Sequence, residues 1–174
     1  MAAMQDMHTL IVMRHAKAGE LPGGPDFERA LRPRGQRDSA AAGRWLAVRR
    51  LYPDLVLCSA ARRTRQTWQH LSGQLLAESA AGRPAFLAEQ QLYQADSEDV
   101  AELVKQTSDD VATVLYIGHN PAAAELVEVL TGAAAPFPTA AIAVIRTPAN
   151  WTELAAGSGE LIASWTPHDA EAGG

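Results

Sequence analysis

The chain has 174 residues, of which 47% are apolar and 20% charged, and its net charge is −5. That length suits a single domain spanning 1–174, with flexible ends at about 1–6 and 168–174. The acidic balance argues against a nucleic-acid partner, which would need clustered positive charge, and no apolar run is long enough for a membrane span. The one cysteine, Cys58, cannot make an internal disulfide, and the N-terminus shows no signal-peptide pattern, so a cytoplasmic location is expected.

Residues 9–13 (TLIVM) are apolar without alternation, as in a strand buried on both faces of a parallel sheet. Residues 14–27 contain Gly19, Pro22, Gly23, Gly24 and Pro25 and predict a loop. A helix is expected over 35–50, with Ala40, Ala41, Trp45, Leu46 and Val48 as its apolar positions. A second buried strand at 55–58 (LVLC) leads into a helix at 61–77, with Trp68, Leu71, Leu75 and Leu76 on one face. After a polar connection at 78–84 comes a short strand at 85–87. The next helix, 97–107, has Asp96 or Ser97 as its cap and acidic residues in its first turn. Residues 112–117 (ATVLYI) form the third strong strand, and 121–130 a helix with Pro121 in its first turn and Gly132 past its end. Late strands at 140–145 and 161–165 predict a hairpin at one edge. The order implies an α/β fold of three layers, α/β/α, with a mostly parallel sheet and helices on both faces.

Ligands of such sheets bind outside the carboxyl ends of the strands. Arg14 and His15 follow the first strand, Ser59, Arg62 and Arg63 the second, and His119 and Asn120 the strand at 112–117. Phosphoryl transfer through a covalent phosphohistidine fits this set. A neutral imidazole is a good nucleophile near neutral pH, and arginine forks match phosphate oxygens and neutralise their charge. No metal or other cofactor is needed, and no carboxylate stands at ligand spacing near either histidine. Each piece taken singly has a plainer role: Arg62 or Arg63 as a solvated cation, Asn120 as a helix cap. His8, His70 and His168 are expected to be structural or solvated, Cys58 a small core residue, and the four tryptophans packing groups.

The run Leu10 to Ala16 (LIVMRHA) resembles the RHG/RHA signature of the histidine phosphatase superfamily, which has the phosphoglycerate mutase-like fold. Ser59 to Thr67 (SAARRTRQT) is similar to its S-P-x-x-R-A-x-Q-T segment, with Ala60 in place of proline, and Gly118-His119-Asn120-Pro121 to its G-H-x-P segment. RHAKA at 14–18, DFERALRPRG at 26–35 and LYQA at 92–95 resemble the SixA-type phosphohistidine phosphatases. The resemblance implies that His15 is the nucleophile and that Arg14, Arg63 (rather than Arg62) and His119 complete a phosphate pocket. It implies no cofactor, no metal, and a phosphorylated protein or small phosphorylated molecule as substrate. Glu89 lies near where many superfamily members place a general acid, while the L-Y-x-A stretch points to the group without an obvious one. Glu89, Arg62, Asn120 and Tyr93 are therefore candidates for the acid or for substrate contacts. A phosphoramidate needs little protonic help, because a protonated imidazole leaves readily. The alternatives are a non-catalytic phosphate-sensing or scaffold module and a small phosphomutase. A neutral His15 beside a protonated His119 implies a bell-shaped pH profile. Specificity is expected from 19–27, from the surroundings of Tyr93 and Asp96, and from 133–139.

Overall fold

Alternate side chains of one strand lead into two separate cores, which explains why the apolar runs do not alternate. In the computed structural model, which describes residues 7–172, β1 (His8–Arg14) sends Ile11 and Met13 to one face and Leu10 and Val12 to the other. On the first face they meet Val56 and Cys58 of β2 (Leu55–Ser59), Leu115 and Ile117 of β4 (Thr113–Gly118), and the helices α1 (Pro33–Val48) and α2 (Arg62–Leu75). On the second face, Leu57, Val114 and Tyr116 pack under α3 (Ser97–Lys105) and α4 (Ala122–Thr131). Burial on both sides favours β-branched and apolar residues at every position.

The six strands lie in the order β3-β2-β4-β1-β5-β6, with β3 at Ala85–Glu89, β5 at Ile142–Thr147 and β6 at Glu160–Trp165. The first four are mutually parallel, and β5 pairs antiparallel with both β1 and β6. The expected α/β layering and the edge hairpin are both present. Strand β5 begins at Ile142 rather than at 140 because Ala140 takes a left-handed φ of 65°. That turn lets the Ala140 amide donate to the His15 carbonyl (3.0 Å).

Helix α1 differs from its sequence pattern. Its buried face is Gly35, Ser39, Ala42, Gly43 and Leu46, and Val48 is 81% exposed. Close approach to α2 sets this face: a Cβ on Gly43 would lie 2.2 Å from the Leu71 carbonyl oxygen. Val48, about 200° round the helix from Leu46, is turned to solvent. Helix α3 has the expected start, with Asp96 accepting from the Asp99 amide in a reciprocal capping box. The expectation of flexible ends lies, for 1–6 and 173–174, outside the described residues; inside the C-terminal stretch, Pro167–Ala172 forms a short helix, α5. Among the described residues, no helix is long and apolar enough to cross a membrane.

Candidate active site

The register levels the ends of three strands. Arg14 pairs with Gly118, and Ile117 with both Met13 and Cys58, so His15, Ser59 and His119 emerge side by side. The turn after β1 is held from α2. Thr67 Oγ1 accepts from the Ala16 amide (3.0 Å) and donates to the Arg63 carbonyl (2.7 Å), while Gln66 Oε1 accepts from the Leu31 amide (2.8 Å). Thr64 donates to the Ser59 carbonyl and so ties the end of β2 to the same helix (2.7 Å). These contacts account for the threonines of the segment 59–67, which reach back to the strand ends.

His15 is 7% exposed, and its Nδ1 lies 2.8 Å from the Ala16 carbonyl oxygen. A carbonyl only accepts, so Nδ1 carries the proton and Nε2 keeps its lone pair. Arg63 Nε faces that lone pair at 3.4 Å. Burial, against the Ala16 hydrogen bond and together with the charges of His119, Arg63 and Arg14, lowers the His15 pKa to about 3. The ring is thus neutral at physiological pH, with the Nε2 lone pair turned to Arg63.

His119 has the opposite tautomer. Its Nδ1 lies 3.4 Å from Arg63 Nη2, which can only donate, so Nδ1 accepts and Nε2–H donates to Ser59 Oγ at 2.8 Å. Burial first, and then the Arg63 charge, lowers its pKa to about 4. His119 is therefore neutral at physiological pH, and a negative charge placed beside it would raise its pKa.

Arg63 spans both rings and is 6% exposed. Arg62, about 100° away on the same helix, is exposed. The Arg63 fork is also held from outside, by the Asp26 carbonyl at Nη1 (2.9 Å) and the Asp26 carboxylate at Nη2 (3.1 Å). Arg14 donates through Nη1 to the Phe137 carbonyl (3.3 Å), its Nε is buried without a partner, and burial followed by the Arg63 charge lowers its pKa. A polar donor left without a partner in a dry site costs free energy unless a ligand takes it.

The remaining candidates divide. Tyr93 joins the site: its hydroxyl donates to Asp26 Oδ2, and its ring meets that of His119 edge-on at 5.7 Å. Asn120 braces the 133–139 stretch through the Phe137 carbonyl (2.8 Å) and accepts from the Ala124 amide (3.3 Å). Glu89 closes β3, and its carboxylate accepts from Gln91 (3.4 Å). Asp26 and Ser59 are not among the site residues named from the sequence, although Ser59 follows the second strand at the rim and Asp26 lies in the 19–27 stretch expected to set specificity. For Ser59, a hydroxyl ending a buried strand is the signal; for Asp26, only the run of polar residues it opens. The Tyr93 hydrogen bond, followed by the charge of Arg63, lowers the Asp26 pKa to about 2, against its partial burial. Among the described residues, no group of three or more His, Cys, Asp or Glu side chains is placed to hold a metal ion. Cys58 is buried in the core, which raises its thiol pKa to about 12, and so is no nucleophile.

An uncharacterised protein of Mycobacterium tuberculosis is 37% identical over 166 residues, covering 89% of this chain and 99% of its own. A solved structure of a candidate phosphohistidine phosphatase SixA from Nakamurella multipartitia superposes with a TM-score of 0.81 at 30% identity, over 92% of this chain and 96% of that one. A similar candidate SixA from Agrobacterium tumefaciens gives 0.78 at 28% identity, over 92% and 98%. No protein-family model matches the chain.

Proposed function

This chain belongs to the histidine phosphatase superfamily, in its SixA-type group, and on that premise we propose that it is a metal-independent phosphatase acting through a phosphohistidine at His15. The observation that carries this is the single Arg63 guanidinium set between two neutral imidazole lone pairs, 3.4 Å from His15 Nε2 and 3.4 Å from His119 Nδ1. No structural purpose is served by turning two acceptors and a cation into one buried space, whereas a phosphoryl group uses all three.

The chemistry follows from the tautomers. His15 Nε2 attacks phosphorus in line, forming an N–P bond as the bond to the leaving group breaks and its electron pair departs with that group. Arg63 and Arg14 hold the equatorial oxygens, and the dianion's charge raises the His119 pKa so that Nδ1 takes a proton from solvent, turning it from acceptor to donor. Water then attacks phosphorus, forming a P–O bond as the N–P bond breaks and its electron pair returns to Nε2, and the water's extra proton leaves with the phosphate or to solvent.

The leaving group narrows the substrate class. The carboxylate nearest the pocket, Asp26, is ionised at neutral pH because its pKa is lowered to about 2, and Glu89 hydrogen-bonds to Gln91 instead. With neither carboxylate placed to donate a proton, the site suits phosphorus bonded to a nitrogen that is already protonated, or to a weakly basic oxygen, better than a simple sugar phosphate. A phosphohistidine protein is the substrate this favours.

Rapid acid or base quench during turnover of phosphoramidate tests the reading. A base-stable, acid-labile phosphoryl group on His15, with turnover unaffected by EDTA, is the expected result. Tight phosphate binding with no covalent species would assign a sensing module instead, and loss of turnover on chelation would restore a metal.

A further inference from the structure

Arg63 is fastened twice by one residue, and the two fastenings do different jobs. The Asp26 main-chain carbonyl accepts from Nη1, and this bond survives any change of side chain. With Nε at His15 and Nη1 on a backbone oxygen, the fork is already oriented. The Asp26 carboxylate on Nη2 is then surplus as a positioning device. It is also a costly neighbour for a phosphate site, being a fixed negative charge on the same nitrogen that faces His119. Three donors hold it there: Arg29 Nε on Oδ1, and the Tyr93 hydroxyl and Arg63 Nη2 on Oδ2. Its side chain nevertheless remains 52% exposed, at the open side of the pocket.

We propose that the Asp26 carboxylate is a tethered anion that competes with phosphate for Arg63 Nη2 and thereby drives product release. The proposal rests on the phosphatase reading, since it places the phosphoryl group at Arg63. A site of two arginines and an inducible imidazolium strong enough to stabilise a transferring phosphoryl group also holds inorganic phosphate, the last product. Release leaves a buried cation to be paired, and pairing it at once with a carboxylate already in place lowers the cost of release. The carboxylate is available for this at every working pH, because its three donors keep it ionised. Phe27, the next residue in the chain, packs edge-on against Tyr93 at 5.0 Å, which anchors the loop bearing Asp26 beside the pocket.

The test is Asp26→Asn, which keeps the shape and the main-chain carbonyl and removes the charge. Phosphate binding is measured by calorimetry on the unmodified and variant proteins, alongside phosphoramidate kinetics. Competition predicts that the phosphate Kd falls about tenfold, with kcat falling as release slows and KM falling further, so that kcat/KM is raised rather than lowered. A phosphate Kd that is unchanged or raised, or a kcat that falls with KM unchanged, would overturn the proposal and leave the carboxylate as a brace for Arg63. Should Asp26→Asn not fold, Asp26→Ser removes the same charge and must shift the Kd in the same direction. The unmodified protein separates the two claims: if it neither binds phosphate nor turns over, the phosphatase reading has failed, whatever the variant does.

Discussion

Strand β1 carries a buried histidine just before its first core residues and another just past its end, and the two have nothing in common but burial. His8, 4% exposed, stacks on Trp151 with ring centroids 4.6 Å apart and places Nε2 3.1 Å from the Asp109 carbonyl. His15, 7% exposed, faces Arg63, Arg14 and a second imidazole. The first ring has an aromatic face and a carbonyl around it, the surroundings of a packed core group. The second has cations around it, the surroundings that the proposed phosphoryl chemistry requires. Burial therefore does not mark a functional histidine. The company it keeps does, and the sheet supplies that company only at the carboxyl ends of its parallel strands.

The largest effect should come from His15→Ala. Turnover of an aryl phosphate is expected to fall by about 10³-fold or more, with the melting temperature nearly unchanged, because the ring is replaced in a cationic pocket and not in the packed core. Substantial residual turnover would move the nucleophile elsewhere. Arg63→Ala should cost about 10²- to 10³-fold in kcat/KM, and Arg63→Lys should recover little of it, since a lysine cannot present a fork to both imidazoles. Full rescue by lysine would mean that Arg63 acts only as a charge.

The pH behaviour sharpens the same contrast. The pKa of His15 is lowered to about 3 and that of His119 to about 4 in the folded chain, against about 6.5 when unfolded. Between those values the unfolded chain binds protons that the folded one refuses. Stability is then fully present above about pH 6.5 and is lost as pH falls towards the folded values. Melting curves from pH 7 to pH 4.5 should show a smaller loss for His15→Ala than for the unmodified protein. Binding of a dianion works in the opposite sense, raising the His119 pKa, so sulfate should inhibit more strongly as pH falls from 8 to 5, by up to about tenfold per unit. Inhibition independent of pH would show that His119 stays neutral against the anion.

How legible was all this beforehand? The strands were plain, because residues buried on two faces leave long apolar runs such as LIVM and LVLC, and with them came the rim that collects Arg14, His15, Arg63 and His119. The face of α1 was not, because it is set by Gly43 and Ser39, small groups chosen for close approach, while Val48 is solvent-facing. The contribution of Asp26 was hidden for a different reason. Its loop is fixed by side-chain contacts to Tyr93, 67 residues away, and to Arg63, and periodicity carries no record of such pairings. Ser59 shows the same limit at shorter range: the sequence marks it as the end of a strand, and only the register with β4 brings it under His119.

The smallest effect on activity should come from the other end of β1. His8→Ala removes a ring stacked on fully buried Trp151 and an interaction with the Asp109 carbonyl, so it should cost about 2 kcal/mol of stability. Its effect on kcat should be within about twofold, because β1 is paired on both sides from Thr9 to Met13, with β4 and with β5, and a defect at its first residue has no loose element through which to reach the rim. Urea titration and aryl phosphate kinetics on the same preparation separate the two quantities. A large loss of kcat without loss of stability would mean that the two ends of β1 communicate, and the rim would then have to be treated as one end of a coupled strand rather than as a site resting on a rigid one.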